Sequence, residues 1–189
     1  MAEVFLRHLS RWQAEQQQEE LADEFIETYR RAHGAEYEDR QAFLKAFNRA
    51  FTRDGFDMVV AGAAGRTVGH AYGYLIDRSG GWWRGLGADE PWDVEELTVS
   101  GQVFALAELT VRPPFRRTGV AGRLLDALLT RTDAALAVTR VDPANAGALG
   151  ALSSWGWVRL GMAGADDAHV PSVGTGPATE IWGRALRRA

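Results

Sequence analysis

The sequence predicts an α/β fold of the mixed α+β kind, a central sheet with helices on both faces. Three observations carry this. Apolar residues recur at helical spacing in four segments. Seven short apolar runs, several bounded by turn residues, have the length of strands. The order along the chain is β, α, α, β, β, β, α, β, α, β, β, which gives a mixed sheet covered on both sides. At 189 residues the chain can bury one good core and is short for two, so a single domain over 1–189 is expected.

Residues 3–9, EVFLRHL, read as the first strand. From Gln13 to Arg31 the pattern is helical, with Leu21, Phe25 and Tyr29 four apart and Ala22 and Ile26 beside them. Gly34 is the expected stop. A second helix, about 38–53, stacks Phe43, Phe47 and Phe51 on one face and ends at Gly55. DMVVAG and TVGHAYGYLID, on either side of Gly65, form an antiparallel hairpin. Residues 78–101, RSGGWWRGLGADEPWDVEELTVSG, are expected as a long loop, a feature that is uncommon in compact domains and often functional. Its tryptophans Trp82, Trp83 and Trp92 either pin the loop to the core or form a lid over a substrate. A strand at 102–111 leads into a helix at about 119–131, with Val120, Leu124 and Leu128 on one face. ALAVTRV (135–141) is a strand. Asn145 caps a helix carrying Ala148, Leu149 and Leu152, and Gly156 ends it. WVRLGMAG and ATEIWGRALR are the closing strands.

Composition excludes several classes of function. Hydrophobic content of 46% and charged content of 24% are ordinary for a soluble globular protein. A net charge of −4 argues against a nucleic-acid partner. The absence of cysteine removes disulfides, thiolate metal sites and a cysteine nucleophile together. His8, His33, His70 and His169 show no metal-ligand spacing, so no metal is expected and each is read as structural or exposed. The start, MAEVFLRHLS, is too short in apolar residues for a signal segment, and no run approaches the ~18 needed to span a membrane. A cytoplasmic protein with no membrane partner is the expectation.

The junction Val111–Arg123, VRPPFRRTGVAGR, is where the chemistry concentrates. A helix N-terminus carries unpaired N–H groups and the positive end of the helix dipole. Gly119 lets a ligand approach the backbone, Ala121 and Gly122 clear the next half-turn, and Arg116, Arg117 and Arg123 add charge. Together these describe a pyrophosphate cradle. It has neither the GxxxxGK[ST] of a P-loop nor the GxGxxG of a dinucleotide site.

The stretch VRPPFRRTGVAGRLL resembles the acetyl-CoA-binding signature of the GNAT acetyltransferase superfamily, V-x-P-x-x-[RQ]-x-x-G-x-[GA], matched by Val111, Pro113, Arg116, Gly119 and Ala121. A second family element, Asn-x-x-Ala followed by a tyrosine and a Gly-aromatic pair, is similar to NAGALGALSSWGW, through Asn145, Ala148, Gly156 and Trp157. The resemblance implies a mixed, mostly antiparallel sheet of about seven strands. It also implies that the strand before the cradle splays from the strand at 135–141, with the pantetheine arm of acetyl-CoA in the gap. On that reading backbone groups of Leu109, Thr110 and Val111 bind the arm and amides of Arg117, Thr118, Gly119, Val120, Ala121 and Gly122 hold the pyrophosphate. Asn145 reaches the arm from the other side, a role set against its plainer one as a helix cap. Many relatives are dimers, and the apolar C-terminal strand with Trp182 is a candidate homodimer interface.

The activity implied is N-acetylation of a primary amine, on a small molecule or peptide, by direct transfer in a ternary complex. An alkylamine is neutral only about once in a few thousand at pH 7, so a general base helps. Glu108 is the candidate base, inside an apolar strand beside the pantetheine segment, where burial would raise its pKa. The other reading of Glu108 is a buried carboxylate paired with an arginine. Glu27, Glu95 and Glu96 stand in reserve. Tyr72, Tyr74, Trp82, Trp83 and Trp92 are candidates for an aromatic acceptor pocket, or plain core. The family's acid tyrosine falls at Leu152, which cannot donate a proton, and Ser153 and Ser154 point elsewhere on the helix. That departure keeps open a silent acyl-CoA-binding module, and a third reading is a nucleotide-binding protein using the cradle for ATP or NAD.

Overall fold

The computed structural model describes residues 3–29, 36–79, 81–83, 94–164 and 178–186. Its strands are β1 (Phe5–Leu9), β2 (Asp57–Ala63), β3 (Arg66–Leu75), β4 (Val103–Val111), β5 (Leu136–Val141), β6 (Val158–Gly164) and β7 (Ala178–Ala185). Its helices are α1 (Arg11–Gln16), α2 (Gln18–Tyr29), α3 (Glu36–Phe51), α4 (Val94–Val99), α5 (Val120–Leu129) and α6 (Ala146–Ser154), with 3-10 turns at Gly81–Trp83 and Pro113–Phe115. The seven strands form one sheet in the order β1-β2-β3-β4-β5-β7-β6. β4 and β5 are parallel, whereas β1–β2, β2–β3, β5–β7 and β6–β7 are antiparallel. No helix among the described residues is long and apolar enough to cross a membrane.

Two elements differ from the sequence expectation. The helix expected from Gln13 to Arg31 is two helices, because Ser10 and Gln13 form a capping box that starts α1 early and α1 ends at Gln17. The polar run QAEQQQEE has little to bury: Ala14 is the buried residue of α1. The 78–101 stretch is not all loop. Its end is α4, too short for periodicity to reveal, with Val94 and Thr98 buried on one face. Gly34, Trp92 and residues 84–93 lie outside the described residues.

The chain divides into two compact units, Met1–Tyr74 with Ala107–Arg131, and Leu75–Leu106 with Thr132–Ala189. In the first unit α2 and α3 cover one face of the sheet. Phe25 and Phe43 pack tilted at 4.8 Å, and Phe47 meets Tyr72 of β3 edge-on at 5.1 Å. Side chains alternate along a strand, so Gly69, next to His70, faces the opposite way, toward Leu124 of α5. A Cβ at Gly69 would lie 2.7 Å from the Thr110 carbonyl oxygen, so only glycine allows β3 this close to β4.

In the second unit the β4–β5 register covers Val103↔Leu136, Phe104↔Ala137 and Ala105↔Val138 and then stops. One side-chain bond follows, from Thr139 Oγ1 to the Leu106 carbonyl at 3.0 Å. β5 then pairs along its whole length with β7.

Candidate active site

The turn between β4 and α5 is built by the chain's own hydrogen bonds. Arg112 N–H donates to the Val68 carbonyl at 2.9 Å, which ends β4 against β3. Phe115 N–H returns to the Arg112 carbonyl at 2.9 Å, and Thr118 Oγ1 donates to the Phe115 carbonyl at 2.7 Å. Arg117 (φ 63°) and Gly119 (φ 84°) both take left-handed backbone. This curls the chain so that α5 starts directly at Val120 with Gly119 as its cap. Arg123 N–H is the first to close onto the helix, at the Gly119 carbonyl. The amides of Val120, Ala121 and Gly122 precede it and have no acceptor within the helix.

Most of the arginines here are struts. Arg116 donates from Nε to the Val111 carbonyl (3.0 Å) and from Nη2 to the Thr28 carbonyl (3.3 Å). Arg112 pairs with Glu27, and Arg123 donates to the Val4 carbonyl at 3.0 Å. Arg117 is the one arginine of the turn with no hydrogen bond or ion pair among the described residues. Anion-binding capacity at this turn therefore rests on first-turn amides, the helix dipole and Arg117.

Glu108 lies three residues before the end of β4, in the same unit as the turn. The residue as a whole is half-buried. Desolvation pushes its pKa up to about 7, opposed by His70 and by a hydrogen bond from Thr110 Oγ1 at 3.2 Å, while Glu24 adds to the rise. No arginine pairs with it among the described residues, so the alternative of a buried Arg–Glu pair finds no partner there. Fully buried Tyr72 is raised as well, by desolvation first and then by the charge of Glu108.

Beside these groups lies a pair that sequence reasoning missed. His70 of β3 is fully buried and its Nδ1 is 2.9 Å from Oε2 of Glu24 on α2, itself only 5% exposed. Glu24 precedes Phe25 and follows Leu21 by one helical turn. A carboxylate on that apolar face was the signal available in the sequence. For His70 the signal was strand alternation, which puts it on the face of Tyr72 and Tyr74.

The remaining candidates are dispersed. Tyr72 packs among Phe47, Phe56 and His70, and Tyr74 is buried under the guanidinium of Arg53 at 5.7 Å. Trp82 and Trp83 belong to the other unit, where they meet edge-on at 4.6 Å. Arg140 stacks on Trp82 at 4.6 Å, and Trp83 donates to Thr98 at 2.6 Å. These two tryptophans thus pin the 81–83 turn to α4 and β5. Asn145 accepts from Ala148 N–H at 3.1 Å as the cap of α6. Leu152 is buried at 4% exposure, Ser154 donates to the Ala151 carbonyl, and Ser153 is exposed. Glu27 is engaged by Arg112, and Glu95 and Glu96 are exposed on α4. No cluster of three or more potential metal ligands occurs among the described residues.

Residues 15–157 match the acetyltransferase (GNAT) family, and the chain belongs to that family. Among solved structures, it is similar to the acetyltransferase of the GNAT family from Streptococcus pneumoniae (TM-score 0.61, 11% identity, covering 98% of this chain and 100% of that one). It is similar to the PaiA N-acetyltransferase of Thermoplasma acidophilum in complex with coenzyme A (TM-score 0.59, 12% identity, 97% and 99%). A third likeness is to the ribosomal-protein-alanine N-acetyltransferase of Brucella melitensis (TM-score 0.56, 17% identity, 96% and 99%). At these identities the likeness is one of fold. No curated protein matches the sequence.

Proposed function

We propose that this protein transfers the acetyl group of acetyl-CoA to a primary amine, on a small molecule or a peptide, by direct attack in a ternary complex. The observation that carries the reading is Glu108: a carboxyl raised to about 7, with no arginine paired to it among the described residues, in the same unit as an amide-lined turn. A base of that pKa is matched to deprotonating an ammonium near neutral pH. First-turn amides of α5 and the amides of Arg117 to Gly119 would hold the pyrophosphate, with Arg117 adding charge. Backbone groups of Leu109, Thr110 and Val111, the last residues of β4, would bind the pantetheine arm. Asn145, whose Oδ1 is used in the cap, has its side-chain NH2 to offer. The bound thioester supplies an activated acetyl group and a good leaving group, so the chain need not provide an acid at Leu152.

A thermal melt with acetyl-CoA, CoA, ATP and NAD in parallel tests the cradle. Ligand at ~100 times its Kd adds about 2.7 kcal/mol, a rise of roughly 5–11 °C for a chain of this size. We expect the rise with CoA species alone and its loss in Gly119→Glu, which places a carboxylate where phosphate oxygens would lie. Stabilisation by ATP or NAD alone would overturn the assignment. Leu152 favours a second reading, a silent acyl-CoA-binding module. Thiol release from acetyl-CoA across a panel of amines separates the two: release with any amine supports transfer, and a CoA shift without release supports the silent module.

A further inference from the structure

Helix α2 reaches its end without a cation of its own: its sequence, QEELADEFIETY, contains no lysine or arginine. The last carbonyls of a helix lack partners within it and carry the negative end of its dipole. Here the compensating charge arrives from far along the chain. Arg116 donates from Nη2 to the Thr28 carbonyl at 3.3 Å across 88 positions, and Arg112 pairs with Glu27 across 85. Both arginines belong to the β4–α5 turn, and all four residues lie in one compact unit.

The piece of chain between the two arginines is stiff. Pro113 and Pro114 have their φ angles fixed by their rings. The 3-10 turn Pro113–Phe115 is closed by bonds from Phe115 N–H to the Arg112 carbonyl (2.9 Å) and from Arg116 N–H to the Pro113 carbonyl (3.2 Å). Arg116 Nε also holds the Val111 carbonyl at 3.0 Å. A displacement of the turn is therefore carried to α2 by both side chains. Beyond Arg116 the turn is strained and open. Arg117 has φ 63°, and the first-turn amides of α5 have no acceptor within the helix. An anion held there removes that freedom.

The receiving end is loosely seated. Glu24 and Thr28, one helical turn apart on the buried face of α2, are 5% and 6% exposed. Glu24 Oε1 and Thr28 Oγ1 have no hydrogen-bond partner among the described residues. Buried polar atoms left unpaired cost free energy, so this end of α2 opens more readily than its apolar contacts alone would allow.

We propose that Arg112 and Arg116 are positioning residues that couple the β4–α5 turn to the last turn of α2, so that CoA bound at the turn orders the helix carrying Glu24 and Thr28. This rests on the acetyl-CoA reading above. By linkage, anything that orders the end of α2 tightens CoA binding by the same factor.

Amide hydrogen exchange of Phe25–Thr28, followed by NMR with and without saturating CoA, tests the coupling without an acceptor amine. In the wild type we expect these amides to slow about 5-fold or more on CoA binding, the lower end of typical coupling between sites. Those of α1, which takes no bond from the turn among the described residues, should change less. Arg112→Gln removes one link, and Arg116→Lys replaces the guanidinium fork that spans two carbonyls with a single ammonium. A CoA-dependent slowing of Phe25–Thr28 that shrinks toward that of α1 in either variant supports the coupling. Equal slowing of α2 and α1 in the wild type, or undiminished slowing of α2 in both variants, overturns it. Loss of CoA binding in Arg112→Gln also overturns it, by making Arg112 a ligand contact. If Arg116→Lys does not melt cooperatively, Arg112→Gln decides alone. Absence of any thermal shift with CoA in the wild type would instead defeat the acetyl-CoA reading, and the two failures are separately visible.

Discussion

At Glu108 the folded protein holds a proton up to about pH 7, against an ordinary value of 4.5. Between those values the folded state binds more protons than the unfolded one, so this residue's contribution to stability falls as pH rises through that window. Above pH 7 the ionised carboxylate costs the fold on the order of 3 kcal/mol, at about 1.36 kcal/mol per pK unit. Glu108→Gln keeps the shape and removes that cost. Urea unfolding of both proteins at pH 5 and pH 8 should therefore show the variant gaining relative to wild type at the higher pH. A difference independent of pH would mean the carboxyl is not desolvated. The same ionisation has the opposite value for chemistry: turnover should rise through pH 7 in the wild type and lose that limb in the variant. Sequence reasoning reached Glu108 because a charged residue inside VFALAELTV breaks the pattern. It did not reach Glu24–His70, since residues 46 apart in the chain meet only when α2 lies on β3.

Secondary-structure elements were legible in proportion to how much they bury. α3, with Phe43, Phe47 and Phe51 in register, and α5, with Val120, Leu124 and Leu128, fall within two or three residues of the expected bounds. The 13–31 segment was read as one helix because α2 dominates the pattern and α1 buries little. α4 was missed for the same reason. Close approach of β3 to β4 depends on Gly69, and Gly69→Ala tests it. A methyl 2.7 Å from the Thr110 carbonyl must push the strands apart, and such overpacking costs about 1–3 kcal/mol. The variant should unfold at a lower urea midpoint. Because Thr110 also bonds Glu108, its Glu108 titration midpoint should move as well. A variant with wild-type stability and an unmoved midpoint would show that the strand can yield there at no cost.

On the scale of the whole molecule, β4 contributes to both compact units, Val103–Leu106 to one and Ala107–Val111 to the other, as one uninterrupted strand. β3 likewise crosses the division between Tyr74 and Leu75. We propose on that ground that residues 1–189 fold as a single cooperative domain. Scanning calorimetry should give one transition with a van't Hoff enthalpy close to the calorimetric value. Two resolved transitions would make the units independent domains.

By itself the sequence determined the class of fold, the place of the strand–turn–helix junction and the family. These depend on local spacing: the periodicity of apolar residues, and prolines, arginines and glycines set at fixed offsets along one strand–turn–helix. The role of each arginine was decided only by tertiary structure. Arg112, Arg116 and Arg123 look alike in VRPPFRRTGVAGR, yet they go to Glu27, to the Val111 and Thr28 carbonyls, and to the Val4 carbonyl. Three of those four partners are remote in the chain. Tertiary structure also made core of Tyr72 and anchors of Trp82 and Trp83, and joined Glu24 to His70. A side chain's charge and shape are written in the sequence. Its partner and its exposure to water are set by which elements fold against it, and those decide whether it binds, reacts or holds the structure together.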